Sequence, residues 1–98
     1  MSAVHAAVLS VELHIPRAHS LKDKRAIIRP IVEGSRHRFG VAAAEVGKQD
    51  VWQMAVLAFA AVASTTRHVE EVLSSVERFV WSFPEVEVVS CERHWWGV

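Results

Sequence analysis

Apolar and polar positions alternate strictly from residue 7 to residue 15. Ala7, Leu9, Val11, Leu13 and Ile15 are interleaved with Val8, Ser10, Glu12 and His14. That period of two predicts a half-buried strand, and Pro16 ends it. The period then changes. Leu21, Ile27, Ile28, Ile31, Val32, Ser35 and Phe39 fall on one face of a helix. Ser20 is placed to cap its N-terminus, with Asp23 reaching back. Gly40 is the natural C-terminal stop. Pro30 lies inside this helix; it removes one backbone donor and predicts a kink near Ala26.

Residues 41–46 and 51–63 are alanine-rich, and such runs are ambiguous between helix and strand. The turn residues Gly47-Lys48-Gln49-Asp50 between them favour a hairpin. Val69, Val72, Leu73, Val76, Val80 and Phe83 then recur at three- and four-residue steps. They predict a second amphipathic helix, started in Ser64-Thr65-Thr66 and stopped by Pro84. A last strand runs from Val86 to about Trp95. Its alternation shifts at Val88-Val89, which predicts a bulge. The element order is β-α-β-β-α-β. Right-handed crossovers give a ferredoxin-like α+β sandwich with antiparallel strand order 4-1-3-2 and both helices on one face.

The length of 98 residues predicts a single domain over 1–98. The longest apolar run, Met54 to Ala63, is ten residues, too short for a membrane helix. The N-terminus Met1-Ser2-Ala3-Val4-His5 has no basic n-region, so the expectation is a protein without leader or membrane span. A lone cysteine, Cys91, excludes an internal disulfide and any cysteine-based iron–sulfur or CxxC metal site. A reducing, cytoplasmic setting is expected.

Charge alters the picture more. The net charge is zero, but residues 1–49 carry eight Lys/Arg against four Asp/Glu, and residues 50–98 three against seven. Neutrality argues against a general polyanion binder, while the polarity allows one local basic patch. Opposite halves attracting each other, in the fold or in a dimer, explain the same polarity. Lys22, Arg25, Arg29 and Arg36 lie within about 60° of one another on a helical wheel. With Arg17 and the helix N-terminus beside them, they are candidate contacts for phosphate or RNA. A plain solvated helix face, interrupted by Glu33, is the competing reading.

Three further groups stand out. The end of the first strand collects Glu12, His14, His19, Ser20, Asp50, Trp52 and Gln53, a candidate ligand or metal-binding site or a structural hydrogen-bond network. Val8, Trp52, Met54 and Val56 share an outward parity if Leu57 and Phe59 face the helices. That apolar surface is a candidate homodimer interface. The tail residues His94-Trp95-Trp96 fall near His5 in this strand order, where the tryptophans could stack on a base or cap the edge of the core.

Two runs resemble the opening of the YlxP-like family of small bacterial proteins of unknown function. They are Val11-Glu12-Leu13-His14-Ile15-Pro16 and Ser20-Leu21-Lys22-Asp23-Lys24-Arg25. Arg38-Phe39-x-Val41, Ala44-Glu45-Val46, Gln49-Asp50-x-Trp52-Gln53, Arg78-Phe79-Val80 and Pro84-Glu85-Val86-Glu87-Val88-Val89 continue the likeness. Pro30, Met54 and Val56 depart from the family pattern. The resemblance implies a ferredoxin-like fold and no catalytic residues. Family genes often lie among translation genes, which implies a link to RNA or the ribosome.

No P-loop, GxSxG, HExxH or RNP motif occurs, and no glycine-rich phosphate loop follows the first strand. The expectation is a non-enzymatic, oligomeric interaction module without metal or cofactor, with RNA or the ribosome as a possible partner. The alternative is a small-ligand or metal-binding regulatory domain using the His14/Asp50/Trp52 end. A hydrolase of unknown type at that end is a third.

Overall fold

The computed structural model describes residues 3–96. The chain runs β1 (His5–His14), α1 (Leu21–Phe39), β2 (Ala42–Gly47), β3 (Met54–Ala63), α2 (Thr66–Trp81) and β4 (Glu87–Trp95). The strands form one antiparallel sheet in the order β2-β3-β1-β4, which is 4-1-3-2 read from the other edge. The predicted ferredoxin-like arrangement is therefore the one the chain adopts.

Alternation along β1 and β3 builds the core. Leu9, Val11, Leu13, Ala55, Leu57 and Phe59 are fully buried on the helix side. Ile28 and Ile31 of α1, and Val69, Leu73, Val76 and Val80 of α2, close over them. The two helices cross closely at Gly34. A Cβ there would come within 2.7 Å of the Phe79 ring, which is wedged edge-on between Phe39 and Phe83.

Both helix starts follow the capping logic of the sequence. Ser20 Oγ accepts from the Asp23 amide at 3.0 Å, and Asp23 Oδ2 accepts from the His19 amide at 3.0 Å. Thr65 Oγ1 accepts from the His68 amide at 3.1 Å. Gly40 closes α1 at φ 65°, left-handed as expected. Helix α1 continues without a break through Pro30.

The bulge predicted in the last strand is present. Glu12 faces Ser90 while Leu13 faces Val88, so Val89 is the extra residue. A second bulge, not foreseen, falls at Val46, between the Glu45–Leu57 and Gly47–Val56 pairs. Strand β3 also begins later than the expected Val51. Val51, Trp52 and Gln53 belong to the β2–β3 turn, and Lys24 binds the Lys48 and Gln49 carbonyls of that turn together with that of Met54 at the start of β3.

Ser35 is buried in α1, and its Oγ meets no hydrogen-bond partner among the described residues. An unpaired buried hydroxyl costs about 1–3 kcal/mol. Ser35→Ala is therefore expected to raise the melting temperature by several degrees in a calorimetric scan.

Candidate interaction surfaces

The most heavily built polar site is one that motif reasoning passed over. Lys24 is 1% exposed, on the core face of α1. Its ammonium has three protons, and three carbonyls take them: Lys48 O at 2.9 Å, Gln49 O at 3.1 Å and Met54 O at 3.2 Å. Glu45 Oε2 lies 2.8 Å from Nζ. That contact is electrostatic, since no donor is left to align with Oε2, which has no hydrogen bond of its own. Two more bonds hold the far side of the turn. The Ile15 amide donates to Gln53 O at 2.8 Å, and Gln53 Nε2 donates to Pro16 O at 3.0 Å. Lys48 itself sits at φ 57°, the left-handed region that side chains rarely adopt. This tightly tied turn presents Trp52, 53% exposed, to solvent.

The polar residues expected to gather at the end of β1 separate into independent contacts. His14 Nδ1 meets Glu87 Oε1 at 2.6 Å, across the β1–β4 pair. Glu12 pairs with Lys48 Nζ at 3.1 Å. Ser20 and the His19 amide serve the α1 cap, and Gln53 ties the two loops. Asp50 is exposed, and neither it nor Trp52 joins His14 in a hydrogen bond among the described residues. No cluster of three or more His, Cys, Asp or Glu suited to a metal ion occurs among the described residues.

The cations of α1 divide in two. Arg36 donates through Nε to Ala43 O at 3.1 Å, with a second bond from its terminal nitrogen. It thereby ties the helix to β2. Arg29 makes only a long, exposed contact of 3.7 Å with Glu33. Arg17, Lys22 and Arg25 are exposed and meet no carboxylate within ion-pair distance among the described residues. Arg25, Arg29 and Arg36 line a shallow groove of about 290 Å³ between α1 and β2. The N-terminus of α1 is already capped by Ser20 and its own Asp23, so the cationic side chains, not the helix end, are the anion-attracting groups there.

The open sheet face has the predicted parity. Val8, Met54 and Val56 alternate with buried neighbours and lie on the side away from the helices. Trp52 falls outside β3, in the turn. Ala42 and Ala44 of β2, Ala58, Ala60 and Val62 of β3 and Ala6 of β1 complete an apolar, small-residue half of the face. A trough of about 510 Å³ lies there between Val62 and Trp96. The β4 side is polar instead, with Glu87, Ser90, Glu92 and His94. The tail packs where expected: the Trp96 amide donates to Ala6 O at 2.9 Å.

The profile of a family described as "Protein of unknown function (DUF503)" matches residues 6–93. The chain belongs to that family. It is also 38% identical over 78 residues to "Uncharacterized protein YlxP" of Bacillus subtilis (strain 168), covering 80% of this chain and 85% of that protein. The YlxP-like resemblance drawn from the motifs is thus confirmed. Among the described residues, no helix of this DUF503 protein is long and apolar enough to cross a membrane.

Proposed function

We propose that this DUF503 protein is a non-enzymatic interaction module that self-associates through its open sheet face. The observation that carries this reading is the uncovered apolar half of that face. Both helices lie on the other side, yet Val8, Met54, Val56 and Val62 stand on this one among alanines. Four strands about 4.8 Å apart and up to ten residues long give a face of about 600 Å². A standard interface uses about 800 Å² per partner, so even the whole face falls at the low end of interface sizes and fits a weak dimer. Alanines at Ala42, Ala44, Ala58 and Ala60 let a second sheet approach to about 10 Å, the usual sheet-to-sheet spacing. The charged β4 margin then stays at the solvated rim.

The test is Ala58→Glu, which places a carboxylate in the middle of the face. Sedimentation equilibrium is expected to show the wild type associating through this face and the variant losing that association, by about 100-fold or more in dissociation constant. Equal masses at all concentrations would remove the reading.

A second reading is favoured by one observation. Arg17, Lys22 and Arg25 meet neither a carboxylate nor another internal partner among the described residues, whereas Lys24, Arg29, Lys48, Arg67 and Arg93 are each paired and Arg36, Arg38 and Arg78 are held by Ala43 O, the Phe79 ring and Ser75 Oγ. Arg17, Lys22, Arg25 and Arg29 form a surface for the phosphates of RNA, with ribosomal RNA as one such partner. Arg25→Glu with Arg29→Glu is expected to weaken binding to a single-stranded RNA probe and to flatten the salt slope by about 1.4, at ~0.7 per phosphate contact. Unchanged slopes would dismiss it.

A further inference from the structure

Trp52, Trp81, Trp95 and Trp96 are all exposed, but their surroundings differ. Trp81 lines a groove of about 670 Å³ between α2 and β4. The arginines of that groove are engaged, Arg93 by Glu77 and Ser74 and Arg78 by Ser75. Trp95 closes β4, and Trp96 after it borders the apolar trough of the open face. Trp52 alone of the four stands at the end of the molecule that carries Arg17, Lys22 and Arg25, the cations without an internal partner among the described residues.

Three segments bonded to one another bring these groups together. The Ala18 amide donates to Ile15 O at 3.1 Å, closing a turn with Pro16 and Arg17 at its corners. The β1–β3 register runs on through the bond from the Ile15 amide to Gln53 O, which sets Trp52 beside the Pro16–Arg17 corner. Gln53 Nε2 fastens the same corner through Pro16 O. The first turn of α1 joins them, since Lys24 holds the Lys48 and Gln49 carbonyls. Lys22 and Arg25 flank Lys24 in sequence and, unlike it, face solvent. With Ala26 and Arg29 they wall a shallow recess of about 270 Å³ that has no carboxylate in its lining. Two acids at this end are already engaged, Glu12 by Lys48 and Asp23 by the His19 amide.

We propose that Trp52 is a base-stacking platform for single-stranded RNA, whose neighbouring phosphates lie on Arg17, Lys22 and Arg25. The inference rests on the second reading above, contact of these cations with RNA phosphates, and adds to it a requirement for an unpaired base. An aromatic face beside a basic track is the general means of holding a single strand: the base stacks while the cations follow the backbone. A duplex keeps its base faces stacked inside and offers phosphates and groove edges instead. Rigidity favours the platform, because a turn already fixed by hydrogen bonds loses little freedom on binding. Lys22, Arg25 and Arg29 are separated by about 4.5 and 6 Å along the helix axis, the scale of the step between phosphates of an extended strand.

The test compares three probes on the full chain by fluorescence anisotropy: a short oligouridylate, its abasic sugar-phosphate counterpart and polyglutamate. Wild type is expected to bind the oligouridylate best. Trp52→Ala is expected to weaken that binding by about 10- to 100-fold, the usual worth of one stacked base, and to leave the abasic affinity unchanged. Its salt slope should equal that of wild type, because no phosphate contact is lost. Trp52 is 53% exposed, so the variant should unfold at the wild-type urea midpoint. An oligomer carrying 5-bromouracil should photocrosslink at Trp52. If the oligouridylate binds through Arg25 and Arg29 but Trp52→Ala binds it as tightly as wild type, the stacking proposal is overturned and the phosphate reading stands. Equal affinity for the abasic chain or polyglutamate, or crosslinks confined to Trp81, Trp95 or Trp96, would overturn it in the same way. If no probe binds even at low salt, both fall. If Trp52→Ala lowers the sedimentation mass and leaves RNA affinity intact, Trp52 is instead a contact between copies.

Discussion

Replacing Lys24 with methionine is expected to lower the unfolding free energy by about 3–5 kcal/mol, the usual cost of removing one partner from a buried ion pair. Methionine matches the length of the stem and keeps its packing. It abandons three carbonyls and the Glu45 carboxylate at once. Two of the carbonyls belong to the β2–β3 turn and the third to Met54 at the start of β3; among the described residues the turn backbone is otherwise tied through Gln53 and one Val51–Lys48 bond. Urea unfolding followed by circular dichroism measures the loss. Against a total stability of about 5–15 kcal/mol for a domain of this kind, the variant should be near its folding limit. Lys24→Met with Glu45→Gln should recover part of the loss, because the stranded charge is gone. A Lys24→Met protein within 1 kcal/mol of wild type would mean that water replaces the ammonium and that the turn does not depend on it.

The contrast between Lys24 and its neighbours shows which parts of this molecule are readable in advance. Strands β1 and β3, both helix caps and the Val89 bulge follow from local periodicity and local hydrogen-bond chemistry. The residues that decide them lie within a few positions of one another. Lys24 sits among Lys22, Arg25 and Arg29, and charge alone puts it with them. Its helical phase does not: Lys24, Ile28, Ile31 and Ser35 follow the i, i+4, i+7, i+11 pattern of a core stripe. That phase was the available signal. What it could not supply is the partner, since Lys48, Gln49 and Met54 are brought over from 24 to 30 residues away. Arg36 shows the reverse case. Its phase matches the solvated stripe, yet the Ala43 carbonyl of the edge strand captures it. Trp52 continues the strand alternation in sequence, yet it lies in the turn before β3, where no parity applies. The polar end of β1 likewise divides into pairs because β4 supplies Glu87 to His14 and the turn supplies Lys48 to Glu12. The surfaces on which the proposed associations rest are what remains after these internal contacts are assigned.

The sharpest check on the frame itself comes from two adjacent residues of β3. Phe59 is fully buried, facing Leu9 on β1 and Ala43 on β2, under the helices. Phe59→Ala is expected to cost about 3–5 kcal/mol, from lost burial and from the cavity left behind. Neighbours as small as Ala43 cannot grow into that space, and the backbone on both sides is locked in ladder hydrogen bonds, so relaxation recovers little. Ala58, one position earlier, points to the opposite face. Ala58→Val keeps that face apolar, favours the extended backbone, and should change stability by less than about 0.5 kcal/mol. Because side chains alternate with a period of two, a register slipped by one residue would reverse the two responses. Chemical unfolding of both variants distinguishes these cases: a large loss at Ala58 with tolerance at Phe59 would place the helices on the other side of the sheet.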